Sequence, residues 1–415
     1  MPTAAQVLGR FAAELRFAQL PPAVVERAKN CIIDAMAGAT YGAKLPWSRM
    51  AVGYAARYGS GGPCSVIGSP ALRVHAPLAA LANGVLVHAA EMDGGRIPSV
   101  GAHPATLLAP ILAACEESKA DGRTAVAAFV AACEVMFRIG LASRHSPEEL
   151  GFHSPGVTGS YGCAVAAGVV IGLNAEQMTH ALGIAGSLSA GILAFTKSAQ
   201  GGMVKRLHIG RSAESGILAA RLAAAGYTGP ESVLDGKFGF LEVYCRDGDA
   251  AALTAGLRHD WETLRTCMKR YACHMDAHTP IQAIRDLMSE HSFTGAQVAG
   301  VLVEGGKKLI SHHDIKEPND ITKAQYSVPF CVALALFRDP EDPKSFDAAV
   351  VDDTSIRAAC RNVELRVLAG ARTAKSARVS VRLKDEHVGY PTRQSIVSSQ
   401  CRVARQGHFA CRTTQ

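Results

Sequence analysis

The sequence predicts a mainly α protein, with a large all-helical domain over residues 1–261 and a smaller α+β domain with an antiparallel sheet over residues 262–391. Two observations predict this fold class. Apolar residues recur at helical spacing through the first 260 residues, whereas short stretches after residue 262 are β-branched and alternate with polar residues. Residues 392–415 are polar and weakly patterned. The sequence leaves open whether this tail completes the helical domain.

The first domain is predicted to consist of helices joined by short loops. Prolines mark several junctions, because the first turn of a helix has no partner for the N–H that proline lacks. Pro22, Pro46 and Pro104 stand at such places. The predicted helices are residues 4–17, 24–39, 48–58, 75–92, 104–117, 126–142, 160–173, 175–193 and 215–226.

The second domain is predicted to mix strands with helices, which is typical of an α+β arrangement. Period-two patterns rich in valine predict strands over residues 297–303, 362–368 and 377–383. Helical spacing predicts helices over residues 280–291 and 324–337.

Composition narrows the class of protein. A net charge of +7 is spread over the chain without a run of like charges, so we expect no nucleic-acid arm. The longest apolar run, near residues 164–173, is too short to span a bilayer, which takes about 20 residues. Twelve cysteines form no Cys-x-x-Cys pair, which favours a reducing compartment, and the N-terminus shows no secretory pattern. We expect a cytoplasmic protein that does not contact membranes.

A basic stretch over residues 201–216 is the first candidate site. Lys205, Arg206 and His208 follow a glycine pair and precede the helix predicted from residue 215. Backbone N–H groups and the helix dipole favour an anion at such a place. A solvated basic turn is the alternative interpretation.

Candidate acid–base groups lie at the predicted helix ends. Asp93 closes one helix, and His103 opens the next one ten positions later. A carboxylate can tune a histidine for proton transfer near neutral pH, although a turn Asp and a capping His would show the same pattern. His153, between Gly151 and Pro155, is in a similar loop context, with a surface histidine as the alternative.

The sequence shows no convincing cofactor or metal site. His274 and His278 have the i,i+4 spacing that can ligate a metal on a helix, but no third ligand is evident. Dinucleotide-binding, Walker and nucleophile-elbow motifs are missing from the sequence, as is iron–sulfur cysteine spacing. We therefore expect neither a metal nor a cofactor.

Several separated motifs stand in an order that resembles the MmgE/PrpD family, from about residue 5 to about residue 391. The motifs are residues 28–34, Met92-Asp93, Ala102-His103-Pro104, 151–153, 205–208 with Gly210 and Ser215-Gly216, Val233-Leu234, Gly239-Phe240, 271–278 and 327–331. Members of this family dehydrate, decarboxylate or epimerise small polycarboxylic acids. The resemblance implies a helical domain with an α+β lid, a homodimer, and no cofactor.

The resemblance also implies which residues form the site. The family active-site positions are occupied by Asp93, His103, Lys205 and His274. Four further residues lie in matching motifs and are assigned, with less weight, to substrate binding: His153, Arg206, His208 and His278. Tyr326 is a nearby candidate for substrate binding. Arg96 is a further candidate for substrate binding, but it departs from the family, which is often acidic there, so the 94–101 loop makes the substrate and the reaction an open question.

We interpret the chain as a cofactor-independent lyase, of dehydratase or decarboxylase type, acting on a small di- or tricarboxylic acid. The predicted roles are proton transfer for His103, orientation by Asp93, carboxylate binding by Lys205 with Arg206, and a second acid for His274 from the lid. All are expected to meet in one cleft. An isomerase or epimerase on a similar acid is one alternative, and a non-catalytic helical binding protein of the same fold is another.

Overall fold

A computed structural model describes residues 2–96, 101–144, 146–198, 202–368 and 377–384, together with the backbone of strands 396–403 and 409–414. The chain divides into two compact units, Met1–Met268 and Lys269–Gln415. We call them the helical unit and the α+β unit. The pattern change in the sequence, near residue 262, lies a few residues before this boundary.

The helical unit contains eleven of the described α-helices. They are α1 (Ala4–Glu14), α2 (Pro22–Gly42), α3 (Pro46–Gly59), α4 (Ala76–His88), α5 (Leu108–Ser118), α6 (Gly122–Ala142), α7 (Ser146–Glu149), α8 (Ser154–Val170), α9 (Ala175–Ser187), α10 (Val204–Ala224) and α11 (Phe240–Tyr244). Two short antiparallel pairs accompany them, β1 (Ser60–Val66) with β2 (Ser69–Val74) and β3 (Gly95–Arg96) with β4 (Thr266–Cys267). The sequence predicted an all-helical unit. The structure corrects this prediction, because segments between the helices form these two short strand pairs.

The core of the helical unit is formed by α4, α6, α8 and α10, which pack against one another. Helix α6 is long and apolar enough to cross a membrane, but 89% of its apolar window is buried inside the unit. Close approach of α10 depends on glycines: a Cβ on Gly210 would lie 2.6 Å from the carbonyl oxygen of Leu81 in α4. A Cβ on Gly216 would lie 2.3 Å from the Cβ atom of Cys163 in α8. Such contacts exclude larger residues.

This packing corrects the prediction for the basic stretch. The helix begins at Val204 rather than near residue 215, so Lys205, Arg206 and His208 lie inside its first two turns. They do not form a loop ahead of the helix. Glycines that resemble helix breakers in the sequence instead allow α10 to pack against α4 and α8.

The α+β unit contains the remaining described elements. Its helices are α12 (Met275–His291), α13 (Lys307–His313), α14 (Ile321–Tyr326), α15 (Val328–Phe337), α16 (Ala348–Val351) and α17 (Thr354–Arg361). Its strands are β5 (Val298–Gly305), β6 (Val363–Val367), β7 (Ala377–Leu383), β8 (Ile396–Val403) and β9 (Phe409–Thr414), and they form one sheet in the order β6-β5-β7-β8-β9.

The mainly α class is confirmed, but the sheet is mixed rather than antiparallel. Strands β5 and β6 pair in parallel, and the other neighbours are antiparallel. Parallel neighbours need a long crossover connection, and helices α13 to α17 supply it. Strands β8 and β9 extend the sheet beyond β7, so these tail residues lie in the α+β unit and do not complete the helical one.

Candidate active site

A buried carboxylate between two histidines forms the centre of the candidate site in the helical unit. Asp93 is 3% exposed, and its Oδ2 accepts hydrogen bonds from Nδ1 of His88, at 2.8 Å, and from Nδ1 of His103. An ionised carboxylate only accepts, so both Nδ1 atoms carry protons. In the neutral ring, Nε2 of His103 is then the basic atom. The structure thus brings the predicted Asp93 and His103 together and adds His88.

His88 was not predicted from the sequence. It lies in the last turn of α4 and is fully buried, which lowers its pKa to about 3, with Lys205 acting in the same direction and Asp93 opposing. His88 is therefore a neutral donor to Asp93 at physiological pH. The available signal was a polar residue in an otherwise apolar helix, five positions before Asp93.

Two further predicted histidines lie next to this trio. Nδ1 of His153 and Nδ1 of His208 are 3.0 Å apart, so one donates and the other accepts. The His153 ring lies 5.9 Å from that of His88. Burial, and then the charge of Lys205, lowers the pKa of His208 to about 4 and that of His153 well below its usual range. Both rings are neutral at physiological pH, so they offer hydrogen bonds rather than charge.

Lys205 and Arg206 share a buried acidic partner. Glu91 Oε2 accepts from Lys205 Nζ and from Arg206 Nη1, and all three residues are at most 2% exposed. Arg206 Nη1 also donates to the His88 carbonyl oxygen at 3.0 Å, and its guanidinium lies 5.8 Å from the Trp47 ring centroid. Lys205 and Arg206 thus place two cations beside the histidines, and the carboxylates of Glu91 and Asp93 carry two negative charges in the same region.

Glu91 was also missed from the sequence. The chain turns after α4 with Glu91 in the left-handed region, at φ 58°, which points its carboxylate toward α10 and places Asp93 beside His103. A non-glycine residue at positive φ is uncommon and is often functional. The sequence signal was an acid two positions before Asp93, but nothing in the periodicity showed that it is buried.

Arg96 has a structural contact that explains its burial. Its Nε donates to Glu262 Oε2 at 2.5 Å, and β3 pairs with β4 next to this ion pair. Arg96 is 3% exposed. This ion pair gives Arg96 a structural partner, and its assignment to substrate binding stays a prediction. The residues of the atypical loop from 97 to 100 lie outside the described residues.

In the α+β unit, His274 belongs to a second aromatic and acidic cluster. His274 precedes α12, and its ring lies 4.1 Å from the His313 ring and 4.6 Å from the Tyr326 ring. Asp276 Oδ2 lies 3.3 Å from His313 Nε2. Asp276 and His313 were not predicted: Asp276 lies in the 271–278 motif without an assigned role, and the polar run His312-His313-Asp314 favours a solvated loop. His278 instead packs against Tyr271, with ring centroids 5.1 Å apart.

Among the described residues, two trios have ligand-type atoms within 4.8 Å of one another, His88–Asp93–His103 and His274–Asp276–His313. In the first trio, the Nδ1–H groups of His88 and His103 already donate hydrogen bonds to Asp93 Oδ2. In the second, His313 Nδ1 is engaged by the Tyr326 carbonyl oxygen, and His274 Nδ1 by the backbone N–H of Asp276. We therefore interpret both trios as hydrogen-bonded networks. The expectations that no metal is needed, and that His274 joins Asp93, His103 and Lys205 in one cleft, stay predictions.

Comparison with known proteins identifies the family. The MmgE/PrpD N-terminal domain matches residues 6–252, and the MmgE/PrpD C-terminal domain matches residues 271–390. A cis-aconitate decarboxylase of Aspergillus terreus is 32% identical over 296 residues, which cover 68% of this chain and 59% of the fungal protein. The cis-aconitate decarboxylase of Homo sapiens is 30% identical over 272 residues, covering 64% of this chain and 55% of the human protein. The matches span less than two thirds of the length of these relatives. Because the two domain families together match most of the chain, the chain belongs to the MmgE/PrpD family.

Proposed function

We propose that the protein is a lyase that needs no cofactor and acts on a small di- or tricarboxylic acid by moving a proton at a carbon next to a carboxylate. The hydrogen bond from His103 Nδ1 to Asp93 carries the proposal. It fixes the His103 tautomer so that Nε2 can take or give a proton. The names of the similar proteins make decarboxylation of cis-aconitate the first reaction to test.

The Asp93 network suits a proton-transfer group. When His103 gains a proton at Nε2, the ring becomes an imidazolium, and the buried Asp93 carboxylate stabilises that charge through the Nδ1–H hydrogen bond. His88 donates a second hydrogen bond to the same oxygen. This bond holds the carboxylate in place and limits its basicity, so that Asp93 orients His103 rather than taking its proton.

The cationic pair beside the network suits an anionic substrate. Glu91 accepts from both Lys205 and Arg206, and these two cations supply N–H donors of the kind that bind a substrate carboxylate. A buried site strengthens this attraction because little water screens it. Neutral His153 and His208 add hydrogen-bonding capacity without a competing charge.

Decarboxylation balances with these groups. The carbon–carbon bond to one carboxylate breaks, carbon dioxide leaves, and the electron pair stays on the substrate, delocalised by the adjacent double bond. Protonated His103 then delivers the proton to carbon, so one proton is consumed for each carbon dioxide released. Dehydration uses the same group in the opposite direction, with His103 first taking a proton from carbon. Cations aimed at the developing negative charge favour either step.

Two alternatives remain distinct from this proposal. Epimerisation would also take a proton from carbon, but it would return the proton to the other face without loss of carbon dioxide or water. A non-catalytic binding protein has little need of a buried Glu91–Lys205–Arg206 group, because desolvating three charged groups is costly. This burial favours an enzyme.

Proton NMR in deuterated water tests the proposal against a panel of cis-aconitate, citrate-like and aspartate-derived acids. We expect loss of one acid, with deuterium appearing at a product carbon in the case of decarboxylation. His103→Ala should lower kcat by about 10²–10⁴-fold. His75→Ala, at an exposed histidine before α4, is the matched control and should keep the wild-type rate. Equal rates for both variants would contradict the role of His103.

A further inference from the structure

The cluster around His274 contains a buried histidine that the proposed function does not use. His313 ends α13 and is fully buried, and its ring stacks at an angle of 34° against the ring of His274. The ring of Tyr326, from α14, lies 4.6 Å from both imidazoles. His312, the neighbour in sequence, is only partly buried and contacts Ser311.

Hydrogen bonds fix where the protons of the two rings lie. His313 Nδ1 is 2.9 Å from the Tyr326 carbonyl oxygen, which can only accept, so this nitrogen carries a proton. His274 Nδ1 accepts from the backbone N–H of Asp276 at 3.3 Å, so this nitrogen carries none. A neutral His274 therefore has its proton on Nε2.

The other nitrogen of His313 faces a carboxylate. His313 Nε2 lies 3.3 Å from Asp276 Oδ2, and both atoms are buried. If Nε2 were bare, two lone pairs would face each other without water. A proton on Nε2 turns this contact into an ion pair. Burial alone would raise the pKa of Asp276, but the contact with His313 and the charge of Lys308 lower it well below its usual range. The carboxylate is therefore ionised.

We propose that His313, as a cation paired with Asp276, is a positioning residue that keeps His274 neutral with its proton on Nε2. A second positive charge on His274 would lie 4.1 Å from the first and would be repelled. The charged and titratable groups that face His274 in this cluster are Asp276 from α12, His313 and Lys308 from α13, and Tyr326 from α14.

This arrangement makes His274 a neutral hydrogen-bond donor. Nε2–H of His274 then offers a hydrogen bond to an oxygen of a bound acid while His274 keeps its proton, and this step rests on the proposed function. Asp276 alone would have the opposite effect: its Oδ2 lies 3.9 Å from His274 Nδ1 and attracts a proton to that atom. The positive charge of His313 cancels this attraction.

Nitrogen-15 NMR of the full-length protein labelled at histidine tests the inference directly, because imidazole nitrogens with and without a proton resonate far apart. At pH 7 we expect both His313 nitrogens in the protonated range, with His274 protonated at Nε2 and bare at Nδ1. His274→Gln and His313→Gln assign the signals. A protonated His274 Nδ1 in the wild type, or a bare His313 Nε2, would overturn the proposal.

Variants distinguish a role of His313 in positioning the His274 proton from a purely structural role. In His313→Gln, which cannot carry charge, we expect His274 to become doubly protonated at pH 7, whereas His312→Gln should leave the His274 signals unchanged. Asp276→Asn, a second variant in case the first does not fold, should remove the proton from His313 Nε2. An unchanged His274 in a folded His313→Gln variant refutes the proposal.

Two additional measurements sharpen the test. If one equivalent of zinc chloride moved the His274 and His313 signals to metal-bound positions, the cluster would be a metal site and the proposal would be wrong. In the deuterium assay, His313→Gln should be about tenfold slower at pH 7 and recover at higher pH, because the neutral form of His274 falls to roughly a tenth. If no acid in the panel reacts, the proposed function fails while the NMR result still stands.

Discussion

Replacing Glu91 by glutamine should destabilise the helical unit strongly, because Glu91 is the shared acidic partner of two buried cations. Lys205 is 2% exposed and Arg206 is 1% exposed, so neither can reach water when the carboxylate is removed. Leaving buried charge unpaired costs about 3–5 kcal/mol. We expect the free energy of unfolding of this unit to fall by that amount.

Tryptophan fluorescence during urea unfolding isolates the effect. The chain has two tryptophans, Trp47 and Trp261, and both lie in the helical unit, with Trp47 next to Arg206. The matched control is Glu214→Gln, which breaks a pair with Arg211 whose side chain is 53% exposed. Exposed pairs of this kind contribute about 0.3–0.5 kcal/mol. If Glu91→Gln shifted stability no more than the control, the buried charge group would not stabilise the fold as described.

The remaining predictions concern pH, substrate binding, metal and assembly. Burial lowers the pKa of His88 to about 3, so below pH 6.5 the unfolded state binds a proton that the folded state does not bind. His88 alone should therefore lower stability by about 1.4 kcal/mol per pH unit on acidification from pH 6.5 to 4, and the lowered pKa values of His153 and His208 add to this in the same direction. Urea midpoints of His88→Gln should show a shallower slope. Lys205→Ala should raise KM more than it lowers kcat in steady-state assays; an unchanged KM would exclude it from substrate binding. A chelator should leave activity intact, and loss restored by zinc would contradict this. Light scattering should give a dimer mass, and a concentration-independent monomer would count against it.

Much of the fold could be predicted because helical and strand periods differ in the sequence. The strands over 298–305, 363–367 and 377–383 fall where valine-rich alternation predicted them. The parallel pairing of β6 could not be predicted, since periodicity carries no information about the direction of a partner strand. The start of α10 was misplaced because residues 201–214 are basic and rich in glycine and lack an apolar helical pattern, whereas in the structure Gly210 allows close helix packing.

The site could be predicted only where residue type and motif coincide. Asp93 and His103 stood out as an acid and a base at helix ends, and the structure brings them into contact. The sequence did not single out His88, Glu91 or His313, because their importance comes from burial and from partners distant in sequence. Glu91 meets Lys205 across 114 positions, and His313 meets Asp276 from a different helix. One-dimensional patterns do not show such pairings.

The most direct test of the central claim is the rate of deuterium incorporation at carbon in wild type and in Asp93→Asn, measured by proton NMR with the reacting acid of the panel. The asparagine variant keeps the shape of residue 93 but removes the charge that stabilises protonated His103. We predict one deuterium per turnover in the wild type, and a rate lower by about 10²–10⁴-fold in Asp93→Asn. Decarboxylation without deuterium at carbon, or equal rates in the two proteins for either reaction, would contradict proton transfer by the Asp93–His103 pair.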